Sequence, residues 1–129
     1  VYVVNETTKP KVFVAKDSYV FAIQEAVDTS SYNSWYAIEA RSFDYCGNGY
    51  FRRKLMPMEF IVFLMPKYSG TDTTYFRTRI RNGESVIISK PYKGSFDKRQ
   101  FTVTKDNIWA KELKKLDYKW MFYGARNKE

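Results

Sequence analysis

The stretch at residues 75–89, YFRTRIRNGESVIIS, limits what this chain can fold into more than any other. Two alternating runs flank Asn82-Gly83. Such a pair between alternating runs signals a β-hairpin, because both residues accept the positive φ of a tight turn between twisted strands. A two-residue loop of Asn82 and Gly83 pairs Arg81 with Glu84 and sets Arg79 beside Val86 and Arg77 beside Ile88. That mixes charged and apolar side chains on one face. A three-residue loop of Arg81, Asn82 and Gly83, with Gly83 left-handed in a bulge, pairs Ile80 with Glu84 and Thr78 with Val86, and sets Phe76 against Ile88. This register collects Phe76, Ile80, Val86 and Ile88 on one face and leaves only Ile87 misplaced. A slip of one residue turns every side chain over, so the register that separates the faces is the expected one. It sends Arg77 and Arg79 out of the core together, with Arg81 at the tip.

Around this hairpin the chain reads as follows. Residues 1–4 and 12–15 are short apolar strands. Asp17 or Ser18 caps a helix through residue 28, with Tyr19, Val20, Ile23, Ala26 and Val27 at helical spacing. Residues 35–45 and 50–56 flank Cys46-Gly47-Asn48-Gly49 as a second hairpin. Residues 58–65, apolar without alternation and bounded by Pro57 and Pro66, are the expected central strand, covered on both faces. Residues 90–100 form a loop and residues 101–103 a short strand. A second helix, capped at Thr104 or Asp106, runs to residue 116 with Ile108, Trp109, Leu113 and Leu116 in one stripe. Residues 118–123 are a last strand. The expected fold is α+β, a single domain over residues 1–129: a mainly antiparallel sheet of hairpins with two helices packed on one face.

Charge then narrows the function. The net charge of +8 is uneven. Eight Lys and Arg balance eight Asp and Glu up to residue 76, whereas fourteen face six from Arg77 onward. The basic half points to an acidic partner: nucleic acid, an acidic protein or an anionic membrane face. There is no His and only one Cys, so the commonest general base, a zinc site and an internal disulfide are all missing. Lys93-Gly94-Ser95 lacks the glycine pattern of a phosphate loop. A metal-independent ribonuclease using Arg, Lys and Tyr is the least unlikely enzyme, and no cofactor is expected. The longest apolar run is too short for a bilayer and carries Glu59. Without a secretory pattern, a cytoplasmic location and no membrane partner are expected.

What remains is basic residues interleaved with aromatics, in chains that fill much of their core with aromatic side chains. Arg77, Arg79 and Arg81 on the hairpin, Arg52 and Arg53 in the run 50–54, and Lys90, Tyr92, Lys93, Lys98 and Arg99 in the loop are the candidate contacts. The cations would neutralise phosphates and the exposed rings would stack on bases. The expectation is a small basic nucleic-acid-binding protein without catalytic activity. The alternative is a modulator or inhibitor of the phage or mobile-element accessory type, docking on an acidic protein surface of a larger host machine.

Overall fold

A computed structural model of the protein describes residues 1–17, 20–39 and 49–102. Along these residues run β1 (Tyr2–Val4), β2 (Lys11–Lys16), β3 (Ala22–Asp28), β4 (Ser34–Ala37) and β5 (Tyr50–Leu55). They are followed by β6 (Phe60–Val62), β7 (Asp72–Asn82), β8 (Ser85–Ile88), β9 (Tyr92–Phe96) and a 3-10 turn at Lys98–Phe101. All pairings are antiparallel. The largest sheet has the order β4-β3-β7-β8, with β9 also on β7; β1 pairs with β6 and β2 with β5 in two ribbons.

The α+β expectation is therefore overturned: the described residues hold an antiparallel β fold with no α-helix. The first expected helix is β3. Its residues are buried on both faces, so no period of two marks it as a strand, and Ala22, Gln24, Glu25 and Ala26 favour a helix only weakly. Pairing with β7 overrides that preference, because Glu25 meets Arg77 and Arg79 of β7 and Gln24 meets Tyr92 of β9. The second expected helix and the strand at 118–123 lie outside the described residues.

The central strand is β7, not residues 58–65. β7 has β3 on one edge and β8 and β9 in succession on the other. Between β8 and β9, the Ser89 N–H donates to the Thr78 carbonyl at 2.9 Å, while Tyr92 faces Phe76. Lys90 and Pro91 thus oppose Arg77 alone, a bulge that changes which face the following side chains take. Ile88 stands on the face of Arg79, and Tyr92 on the face of Phe76.

The expected hairpin exists, in a different register. Asn82 faces Ser85 and Ile80 faces Ile87, so the turn residues are Gly83 and Glu84. Gly83 has φ +62°, the left-handed value required at the first central position of a type II′ turn. Asn82 stays in the strand because its side-chain amide acts as a peptide group toward β2. Its Oδ1 accepts from the Val14 N–H at 2.7 Å and its Nδ2 donates to the Val12 carbonyl at 3.0 Å. Consequently Ile87 packs toward the core, whereas Val86 and Ile88 are exposed on the arginine face.

The second expected hairpin is also corrected, since β5 pairs with β2 and β4 with β3. One core cluster, Phe13, Ala15, Val20, Ala22, Leu55 and Ile80, joins the two ribbons to the large sheet, with Val3, Ile61 and Ile87 against it. A second, of Ala26, Ile38, Phe76, Phe96 and Phe101, fills the other end of the same sheet face. Phe96 meets Phe76 and Phe101 edge-to-face, with ring centroids 5.6 and 4.9 Å apart. Gly70 lies against the backbone of this end: an added Cβ would stand 2.2 Å from the Phe96 carbonyl. Gly70→Ala should lower the unfolding free energy by ~1–3 kcal/mol, read from the urea midpoint, because backbone on both sides must shift.

Candidate interaction surface

The arginine strand is paired inward. Along β7, Arg77 and Arg79 occupy the face opposite Phe76, Thr78 and Ile80, as the alternation requires. On that face Glu25 of β3 stands directly opposite Arg77 and is almost fully buried. Its Oε2 accepts from Arg77 Nε at 2.5 Å and its Oε1 lies 2.8 Å from Arg79 Nε. The Arg77 guanidinium also lies over the Trp35 ring, 4.4 Å from its centroid. Both arginine side chains are only 18% exposed. Arg81 donates from Nε to the Gly83 carbonyl at 3.1 Å. These cations neutralise a buried carboxylate and brace a turn, so they are poorly placed to grip phosphate.

The segment expected to be a loop, 90–100, is mostly β9 and the 3-10 turn. The Tyr92 hydroxyl reaches back under the sheet. It donates to Gln24 Oε1 at 2.9 Å and lies 3.4 Å from Thr78 Oγ1. Burial, the larger effect, and the nearby Glu39 carboxylate push its phenol above the usual value near 10, against the Thr78 contact. Gln24 spans this interior, its Nε2 donating to the Pro66 carbonyl at 2.7 Å and its backbone N–H to Glu39 Oε1 at 3.0 Å. Tyr68 also donates its hydroxyl to Glu39. Lys98 lies 3.7 Å from the Asp72 carboxylate. Arg99 chelates Asp97, and the bonds from its side chain and backbone N–H hold the Asp97 carboxyl down at about 2. Lys90 and Lys93 are exposed.

Of the ten expected contacts, the cations Arg52, Arg53, Lys90 and Lys93 are exposed and outside the ion pairs of the described residues, and Arg52 and Arg53 are adjacent. With Lys54 they form an exposed basic run on β5, and none of the three makes an ion pair with a described residue. Arg53 faces Phe13 across the β2–β5 ribbon. There it lines an open groove of about 600 Å³ with Phe13, Ala15, Asp17, Val20, Phe51 and residues 60–64. Its lining side chains are apolar apart from Arg53 and Asp17, while polar atoms make up about half of its surface. Next to it the outer face of the β1–β6 ribbon exposes Tyr2, Phe60, Val62 and Leu64. Contiguous apolar surface of this kind marks contact sites.

Sequence reasoning missed this surface, because a run as apolar as 60–64 reads as interior. The flanking Pro57 and Pro66 were the available signal, since proline is tolerated beside edge strands. Among the described residues no three His, Cys, Asp or Glu side chains gather as metal ligands, and no helix is long and apolar enough to cross a membrane. Comparison with protein families, curated proteins and solved structures finds no match to this chain.

Two outcomes follow from the paired groups. Glu25→Ala leaves two guanidinium groups facing each other without their carboxylate and should cost ~3–5 kcal/mol of stability in urea unfolding. Above pH 10 the unfolded-state Tyr92 phenol ionises before the folded one, so stability present below pH 10 falls as pH rises through the folded value. Urea midpoints from pH 9 to 11 should fall less steeply for Tyr92→Phe than for the parent chain.

Proposed function

We propose that this chain is a non-catalytic binding protein that docks on an acidic surface of a partner protein through β5 and the β1–β6 ribbon. The carrying observation is the open groove lined by apolar side chains with Arg53 and Asp17, on a strand whose other face carries the exposed cations Arg52 and Lys54. Apolar side chains would supply the buried centre of a protein contact, and the cations its charged rim. Complementary charge would steer the encounter and exclude basic partners.

Nucleic-acid binding is the second reading. It is favoured by Tyr50 and Phe51, both exposed beside the same three cations. Against it stand the pairing of Arg77 and Arg79 with Glu25, of Arg99 with Asp97, and the inward Tyr92 hydroxyl.

Anisotropy of labelled single- and double-stranded oligonucleotides at ~0.05 and ~0.15 M salt separates the two readings. Protein docking predicts weak binding at low salt that vanishes at the higher salt. It also predicts that a photo-crosslinker at Phe60 captures a defined protein from cell extract, and that Arg52→Glu/Arg53→Glu/Lys54→Glu abolishes the capture. Oligonucleotide binding that persists at the higher salt and is lost in the triple variant would instead establish the nucleic-acid reading.

A further inference from the structure

The backbone of the segment at residues 60–64 specifies what kind of partner this surface takes. β6 meets β1 with Val3 opposite Ile61, and the ladder extends on both sides. The Asn5 N–H donates to the Glu59 carbonyl at 2.9 Å, the Phe63 N–H to the Val1 carbonyl at 3.0 Å, and the Val1 amine to the Phe63 carbonyl at 3.1 Å. In an antiparallel pair the residues between those bonded positions turn their N–H and C=O away from the partner strand. Phe60, Val62 and Leu64 therefore present their backbone groups along the opposite edge, where no described strand pairs with them. Their side chains are 62, 64 and 92% exposed.

An exposed apolar edge without a charge or a proline is what folded proteins ordinarily avoid, because it invites another strand, and among the described residues nothing pairs with this one. Here residues 60–64 all line the groove, whose floor is Phe13, Ala15 and Phe51. Donors and acceptors repeating every second residue match another extended polypeptide and nothing else of common biological chemistry. The sign of the charge narrows the partner further. Arg53 and Asp17 both line the groove, whereas Arg52 and Lys54 lie on the opposite face of β5, so it is the chain's net charge of +8 that favours an acidic partner. A second copy would bring the same cations and the same net charge of +8 to the contact.

We propose that an extended segment of an acidic partner protein adds to the free edge of Phe60, Val62 and Leu64 as a further strand. Alternate apolar side chains of that segment enter the groove, and a carboxylate meets Arg53. The proposal rests on the protein-docking reading above and specifies its mode.

The test uses labelled decapeptides in which Val, Leu, Ile or Phe alternates with Glu, Ser or Lys, read by anisotropy with the full chain. Glu peptides should bind best and Lys peptides worst, with Arg53→Glu reversing the order. Methylating alternate backbone nitrogens of the best peptide, in the phase that faces the edge, should weaken it at least ~10-fold. Val62→Pro should do the same while keeping the parent melting temperature, because the Val62 N–H is not used toward β1. The methylated peptide probes the edge in the parent chain, so the result stands even if that variant unfolds. Equal binding of methylated and unmethylated peptides overturns strand addition and leaves protein docking standing. No binding of any Glu peptide overturns both. A concentration-dependent dimer lost in Val62→Pro overturns the acidic partner in favour of self-pairing.

Discussion

Glu25 is the constraint around which the large sheet is arranged. A carboxylate buried in the middle of β3 is tolerable only because two guanidinium groups from β7 reach it, one at 2.5 Å and one at 2.8 Å. Such a cluster is weak evidence of net stability, since desolvating three charges costs much of what their attraction returns. Its consequence is alignment. Sliding β7 by one residue along β3 would turn Arg77 and Arg79 toward the apolar core, bring Phe76 and Ile80 to the charged face, and strand Glu25. One buried carboxylate thus sets the register of the strand on which β8 and β9 are built.

The other face of the same sheet repeats the logic with neutral groups. Gln24 lies opposite Thr78 and satisfies its amide with the Pro66 carbonyl and the Tyr92 hydroxyl. The bulge at Lys90 and Pro91 is what delivers Tyr92 to that face. Without it, Tyr92 would fall with Ile88 on the arginine side. Polar side chains of β3 are therefore spent on joining strands. That explains why a segment containing Gln24 and Glu25 can be buried on both sides, while Asp28 at its end accepts from Ser30 in the turn that follows.

This internal use of charge reorganises the functional surface. The basic excess begins at Arg77 in the sequence, yet the first two arginines of that half are tied to Glu25 and another to Asp97. Exposed cations remain at Lys90 and Lys93 in that half, but the run of three consecutive ones lies on β5, in the half of the chain whose formal charge is balanced. Arg52, Arg53 and Lys54 also protect the β5 edge, since charge on an edge strand discourages pairing. The segment at 60–64 carries no charge and pairs with no second strand among the described residues, and that contrast underlies the proposed contact.

The alternation of 75–82, the hairpin that follows and the division of that run into an arginine face and an apolar face were legible from residue order, because a period of two needs only neighbours, whereas 72–74 read as loop. The strands at β1, β2 and β5 were legible for the same reason. The identity of β3 was not, because a strand covered on both sides loses its alternation and Ala, Gln and Glu lean toward helix. Nor was the turn register, since Asn82 was needed by β2, some seventy residues away. Residues 60–64 read as the most interior strand and proved to be a half-open edge. Sequence alone determined the pattern of polar and apolar side chains along each strand and the net charge of the chain. Only the tertiary structure decided which face each pattern turned to, which arginines were consumed by Glu25 and which strand edge was left bare. Those outcomes depend on pairings between distant segments, whose free energy no local stretch contains.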